Sequence, residues 1–138
     1  MIFVDSNVLI DIWGADQHWK DWSLTAVANA AELSDLRINH IIVAEVAPRL
    51  ASLAAFHDRI ALYDIEIEPF SDEAAFLAGV AFQFYRRNAR SEKSVLPDFF
   101  IGGHAQTLGA TILTRDPRFY RSYFPDVPLI TPTKDDND

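Results

Sequence analysis

The amino-acid sequence predicts an α/β fold with a central, mainly parallel sheet of about five short strands and helices on both faces. Three observations carry this. Short β-branched apolar runs alternate with longer Ala- and Leu-rich stretches of helical spacing, the pattern of buried parallel strands joined by crossover helices. With 138 residues, 49% of them hydrophobic, and ten Phe, four Tyr and three Trp, the chain can fill one core. It has no cysteine, so no disulfide scaffold, thiolate zinc site or thiol nucleophile is expected.

Each element follows from its residues. Ile2, Phe3 and Val4 form a strand ended by Asp5 and Ser6, either of which caps a helix over residues 7–13 that Gly14 stops. A helix over 16–34 takes its apolar spacing from Trp19, Trp22, Val27 and Ala31. Residues 36–39 are a second strand. Residues 40–50 (HIIVAEVAPRL) combine strand composition with helix length. We read a helix that begins after Asn39 and is bent or restarted at Pro48. Another helix covers 51–63, and IEIEP at 65–69 alternates as a third strand. Ser71 and Glu73 open a helix to Asn88, with Leu77, Val80, Ala81 and Phe84 on one face. Pro97 and Asp98 open a helix over 99–108, closed by Gly109. Residues 110–114 are a fourth strand, Asp116-Pro117 a turn before a short helix, and 127–130 a fifth, edge-like strand. Residues 1–132 read as one domain and 133–138 (TKDDND) as an acidic flexible tail.

The formal net charge is −8, which as a uniform field repels nucleic acid. The distribution qualifies that. Arg86, Arg87, Arg90 and Lys93 stand against Glu92 alone, and Arg115, Arg118 and Arg121 against Asp116 alone. These runs are either solvated faces or a basic rim around an acidic centre. No apolar run approaches membrane-spanning length, and MIFVDSNVLID lacks a basic front end. The expectation is a soluble cytoplasmic protein with no membrane partner.

Four acids stand out. Asp5 and Asp116 each follow a strand, Asp98 opens a helix, and Glu45 interrupts the apolar segment from Ile41 to Val46. Parallel sheets keep their sites beyond the carboxyl ends of strands, and an unpaired charge on an apolar stripe is costly. Carboxylates that converge repel one another until protons or cations neutralise them. Oxygen donors without sulfur favour magnesium or manganese, which suit phosphodiester hydrolysis. Ser6, Asn7 and Thr114 are placed to orient the acids or waters, or simply to cap. His18, His40, His57 and His104 lack metal-ligand spacing, and Gly102-Gly103 reads as a site of close helix–sheet packing.

These residues resemble a known family. Val4-Asp5-Ser6-Asn7-Val8-Leu9-Ile10-Asp11, the Glu45 of Val43-Ala44-Glu45-Val46, Leu96-Pro97-Asp98-Phe99-Phe100-Ile101-Gly102-Gly103-His104-Ala105, and Leu113-Thr114-Arg115-Asp116 with Phe119 and Tyr120 look like the four blocks of PIN-domain ribonucleases. The nearest likeness is to VapC-like toxins of type II toxin–antitoxin systems. The resemblance implies a three-layer α/β/α fold, Mg2+- or Mn2+-dependent RNA cleavage, a VapB-like antitoxin partner and a homodimer. Position by position it implies catalytic Asp5, Glu45, Asp98 and Asp116, of which Asp5, Asp98 and Asp116 hold metal. Arg86, Arg87, Arg90, Arg115 and Arg118 are then candidates for binding RNA or antitoxin. Pro117, Arg118 and Phe119 stand where many relatives carry a further acid, which leaves one metal or two open. Two other readings remain: a catalytically silent PIN domain acting as a binding module, and a receiver-like phosphate-accepting module. The second lacks the adjacent acid pair it needs after the first strand.

Overall fold

The computed structural model describes residues 1–14, 18–88 and 96–137. Strand β1 (Ile2–Val4) is the middle of a five-stranded, wholly parallel sheet in the order β3-β2-β1-β4-β5. Here β2 is Leu36–Ile38, β3 Glu66–Ile67, β4 Thr111–Leu113 and β5 Leu129–Ile130. All three residues of β1 are buried, as a central parallel strand covered on both faces requires. Ile2 pairs with Leu36 on one side and Thr111 on the other, and Val4 pairs with Leu113. The chain builds outward from β1 through β2 to β3, then returns to the far side of β1 for β4 and β5. The reversal therefore falls between β1 and β4, where open α/β sheets open a crevice. Asp5 leaves β1 at that point, its amide donating to the Leu113 carbonyl at 2.9 Å.

Helices α1 (Ser6–Trp13), α2 (Lys20–Leu33), α3 (His40–Val46), α4 (Leu53–Leu62), α5 (Asp72–Asn88), α6 (Leu96–Leu108), α7 (Arg118–Tyr123) and α8 (Lys134–Asn137) complete a three-layer α/β/α fold. Side-chain caps start several of them. Asn39 accepts from the Ile42 amide at 3.1 Å, Ser52 from Ala55 at 3.0 Å and Ser71 from Ala74 at 3.1 Å, each worth about 1 kcal/mol. Asn39 thus caps α3 instead of ending β2. Pro48 sits in a 3-10 turn, Ala47–Arg49, that closes α3.

Three expectations change. The face of α5 that carries Val80 and Phe84 points outward, with these side chains 56% and 63% exposed, while Ala74, Ala78 and Tyr85 are buried. The cause is close packing of α5 on α6. A Cβ on Gly103 would stand 3.2 Å from the Ala74 carbonyl oxygen and the Ala78 side chain, so the alanine face must turn inward. The two glycines of α6 accordingly serve contacts other than helix to sheet, since Gly102 faces the ring of Phe124. Finally, α6 begins at Leu96 with Pro97 inside its first turn, where the missing amide of proline costs nothing. The outer strands β3 and β5 keep two residues each of the longer runs expected for them, and the tail contains one helical turn. No helix among the described residues is long and apolar enough to cross a membrane.

Candidate active site

Asp5 is the buried centre of the site, 4% exposed. Its backbone leaves β1 in extended conformation, so its side chain can cap α1 by accepting from the Ser6 amide at 2.8 Å. Its other oxygen accepts from Thr114 Oγ1 at 2.8 Å and from the Tyr120 hydroxyl at 3.1 Å. Burial pushes the Asp5 carboxyl above its ordinary range, and the Thr114, Ser6 and Tyr120 hydrogen bonds oppose that rise.

The remaining acids are linked to it by hydrogen bonds or by charge. Ser6 Oγ donates to Glu45 Oε1 at 3.0 Å, joining α1 to α3. Burial raises the Glu45 carboxyl, with a smaller contribution from the Asp5 charge. Asp98, in the first turn of α6, is pushed up to about 7 by burial, then by the charges of Asp5, Glu45 and Asp116. Asp98 is thus close enough to feel all three. This mutual repulsion is the signature of acids sharing one site. Asp116 follows β4 and is exposed, with its carboxylate 3.3 Å from Arg118 Nε.

Thr114 and Asn7 tie these pieces together. Asn7 donates to Thr114 Oγ1 at 3.2 Å, and its side-chain oxygen accepts from the Arg115 amide at 3.1 Å. Thr114 Oγ1 also accepts from the Asp116 amide at 3.2 Å. Ser6, Asn7 and Thr114 therefore all contact an acid directly or hold the loop that carries one.

The basic candidates divide. Arg115 grips buried Asp11 through two bonds, at 2.8 and 3.1 Å, and lies 5.5 Å from the Trp19 ring. Arg118 faces Asp116. Arg86 and Arg87 are exposed in the last turn of α5, and Arg90 lies outside the described residues. His104 is fully buried and edge-on to Phe3 and Phe70, with Nδ1 at 3.2 Å from Asn39 Nδ2. Burial lowers its pKa, so it is a neutral core side chain rather than a member of the site. Tyr120 and Asp11 were not singled out for these contacts in the sequence, although both lie within the quoted blocks.

Two clefts flank the acids. One, about 420 Å³ and largely apolar, is lined by Ile41, Glu45, Pro97 and Phe100 among others. The other, about 440 Å³, runs from Asp116 past Arg115, Arg118 and Arg121.

Whether these residues suit a divalent cation is a question of donor chemistry and position. The donors are hard carboxylate oxygens, the kind that magnesium and manganese take. Their repulsion on Asp98 is the charge excess that a cation would relieve. As the side chains stand, however, no three acids or histidines among the described residues form a group able to hold a metal ion. Asp5, Asp98 and Asp116 are thus not a ready-made set of ligands. The Asp116 carboxylate faces Arg118, and Asp5 is committed to hydroxyl and amide donors.

Residues 2–125 match the PIN domain family. The chain belongs to that family. No curated protein sequence matches it. Among solved structures, the PIN fold of this chain is similar to VapBC2 from Rickettsia felis bound to a promoter DNA fragment, with TM-score 0.72, 17% identity, and coverage of 96% of this chain and 100% of the other. It is similar to a toxin–antitoxin complex from Klebsiella pneumoniae, with TM-score 0.65, 23% identity, and 96% and 98% coverage. It is also similar to VapC20 from Mycobacterium tuberculosis, a Sarcin-Ricin loop cleaving toxin, with TM-score 0.59, 17% identity, and 93% and 99% coverage. At these identities the likeness shows the shared PIN fold.

Proposed function

We propose that this PIN domain is a metal-dependent endoribonuclease that hydrolyses RNA phosphodiester bonds. It acts as the VapC-like toxin of a toxin–antitoxin pair, in the cytoplasm, as a homodimer restrained by a VapB-like antitoxin. The observation that supports the nuclease reading is electrostatic: Asp98 is raised to about 7 by burial and by the charges of Asp5, Glu45 and Asp116. The toxin reading draws on the VapBC and VapC20 structures to which the fold is similar.

Asp5, Asp98 and Asp116 would hold Mg2+ or Mn2+, with Glu45 at the margin. What the ion supplies when bound is neutralisation and polarisation of the phosphodiester. The chain's own residues do the rest. Thr114, Tyr120 and Ser6 fix the orientation of Asp5. Ser6 positions Glu45 relative to it. Asp98 and Glu45 would complete the site or activate the attacking water. Arg118, beside Asp116 at 3.3 Å, is placed where its guanidinium could meet a phosphate.

The test is cleavage of a mixed RNA pool with and without manganese. Wild-type protein cuts only with the ion, and Asp5→Asn, still folded by circular dichroism, does not. Full metal-dependent cleavage by Asp5→Asn would refute the assignment. Absence of cleavage by well-folded wild type would instead favour a silent binding module.

A further inference from the structure

The basic cleft beside Asp116 has features that its neighbour lacks. Four of the chain's 12 basic residues, Arg115, Arg118, Arg121 and Lys134, line it together with Trp19. In a protein of net charge −8, this is a local inversion of sign. Arg118 and Arg121 stand three apart on α7 and so share a helix face. Lys134 opens α8 opposite them.

The four cations are not equally free. Arg115 is held by Asp11, and its guanidinium lies against Trp19. Arg118 faces Asp116. No carboxylate among the described residues pairs with Arg121 or Lys134. In the same turn, Asp136 accepts from the Thr133 amide and hydroxyl at 2.7 and 3.0 Å. Two exposed cations therefore line the cleft with no paired carboxylate, leaving both available to an anionic ligand.

The cleft is also continuous with the acids, since Asp116 forms part of its wall. A chain of anions that passes Asp116 meets Arg118, Arg121 and Lys134 in the same cleft. The fixed wall is a guanidinium lying on an indole, a planar surface that suits a nucleobase better than a carboxylate side chain. At about 440 Å³ the space is within the range of small-ligand pockets.

We propose that this cleft is a nucleotide subsite. It holds the phosphodiester adjoining the scissile one on a single RNA strand, through Arg121 and Lys134, with the Arg115–Trp19 wall flanking the base. The assignment rests on the ribonuclease reading for its direction, but its binding can be measured without cleavage.

The experiment compares Arg121→Ala/Lys134→Ala with Arg49→Ala/Arg59→Ala, which removes the same charge from the 3-10 turn and α4. In steady-state cleavage of a labelled single-stranded RNA with manganese, the cleft variant should raise KM about tenfold relative to the control pair, with little change in kcat. In the Asp5→Asn background, RNA affinity should show a salt dependence shallower by about 1.4 in log–log slope, the loss of two single-strand phosphate contacts. KM and slope equal to those of the control pair would overturn the subsite. So would unchanged RNA binding together with lost binding of polyglutamate, which would assign the cleft to an acidic peptide. If no protein cleaves RNA but the Asp5→Asn series still shows the slope change, the nuclease reading fails and the subsite stands.

Discussion

Asp98 is where the charge state of the site is decided. Its carboxyl is pushed from an ordinary 3.8 up to about 7, by burial first and then by Asp5, Glu45 and Asp116. Between those pH values the native chain holds a proton that the unfolded chain has given up. Stability of the metal-free protein therefore falls as pH rises from about 4 to about 7, and levels off above. Asp5 and Glu45 shift in the same direction, so Asp98→Asn should flatten this profile in part. It should also raise the melting temperature of metal-free protein above neutrality. A thermal profile as steep in Asp98→Asn as in wild type would place the titration elsewhere. Tyr120 is a second test at this scale. Its hydroxyl is buried and bonded to Asp5, so Tyr120→Phe should cost about 1 kcal/mol in urea unfolding and lower cleavage more than stability alone explains. No loss in either would make the bond incidental. The acids were legible in the sequence because each breaks a local rule: Asp5 and Asp116 end apolar runs, Asp98 follows a proline, and Glu45 interrupts an apolar helix. Tyr120 breaks no local rule, whereas Asp11 interrupts an apolar helix as Glu45 does, a signal that marked it as well. Their partners Asp5 and Arg115 lie 115 and 104 residues away, a relation set by the sheet order and not by neighbours in sequence.

Among the elements, α6 links packing to chemistry. It carries Asp98 at one end, and its glycines let α5 and Phe124 approach closely. A Cβ on Gly102 would stand 2.3 Å from a ring carbon of Phe124, which is 2% exposed and anchored in the core. Alanine there gains about 1 kcal/mol of helix propensity, but a rigid buried ring has little room to yield, and overpacking costs about 1–3 kcal/mol. Gly102→Ala should therefore destabilise by a net of up to about 2 kcal/mol, seen as a lower denaturation midpoint with unchanged slope. A more stable variant would show that Phe124 can move aside. By contrast Gly79, where a Cβ meets nothing within 4 Å in the single chain, should stabilise the monomer on change to alanine. The same packing explains which elements could be read in advance. Central strands β1 and β4 are continuous apolar runs, and the caps at Asp5, Asn39, Ser52 and Ser71 mark helix starts. The inward face of α5 was not legible, because Phe and Val outweigh Ala in any hydropathy pattern. Only the glycine on the facing helix decides that the small side chains go inside.

At the scale of the whole molecule, that inversion leaves an apolar face outside. Phe76 is 77%, Phe84 63% and Val80 56% exposed on α5. The helix is also polar end to end, with Asp72 and Glu73 in its first turn and Arg86 and Arg87 in its last. A two-fold axis near Val80 would run two such helices antiparallel. It would bring the acidic end of each against the basic end of the other and cover both apolar faces, the self-complementarity that a symmetric dimer needs. Gly79, open to the outside, would let the helices come close. The homodimer proposed for this chain would then use this face, with Arg86 and Arg87 at its edge instead of on RNA. Sedimentation at micromolar concentration should give a dimer for wild type and a monomer for Phe76→Asp/Val80→Asp. Both substitutions are on the surface, so the melting temperature of the monomer measures what the interface adds. A monomeric wild type would remove the dimer. A doubly substituted protein that remains dimeric would move the interface off α5, and would return Arg86 and Arg87 to the candidates for contact with RNA.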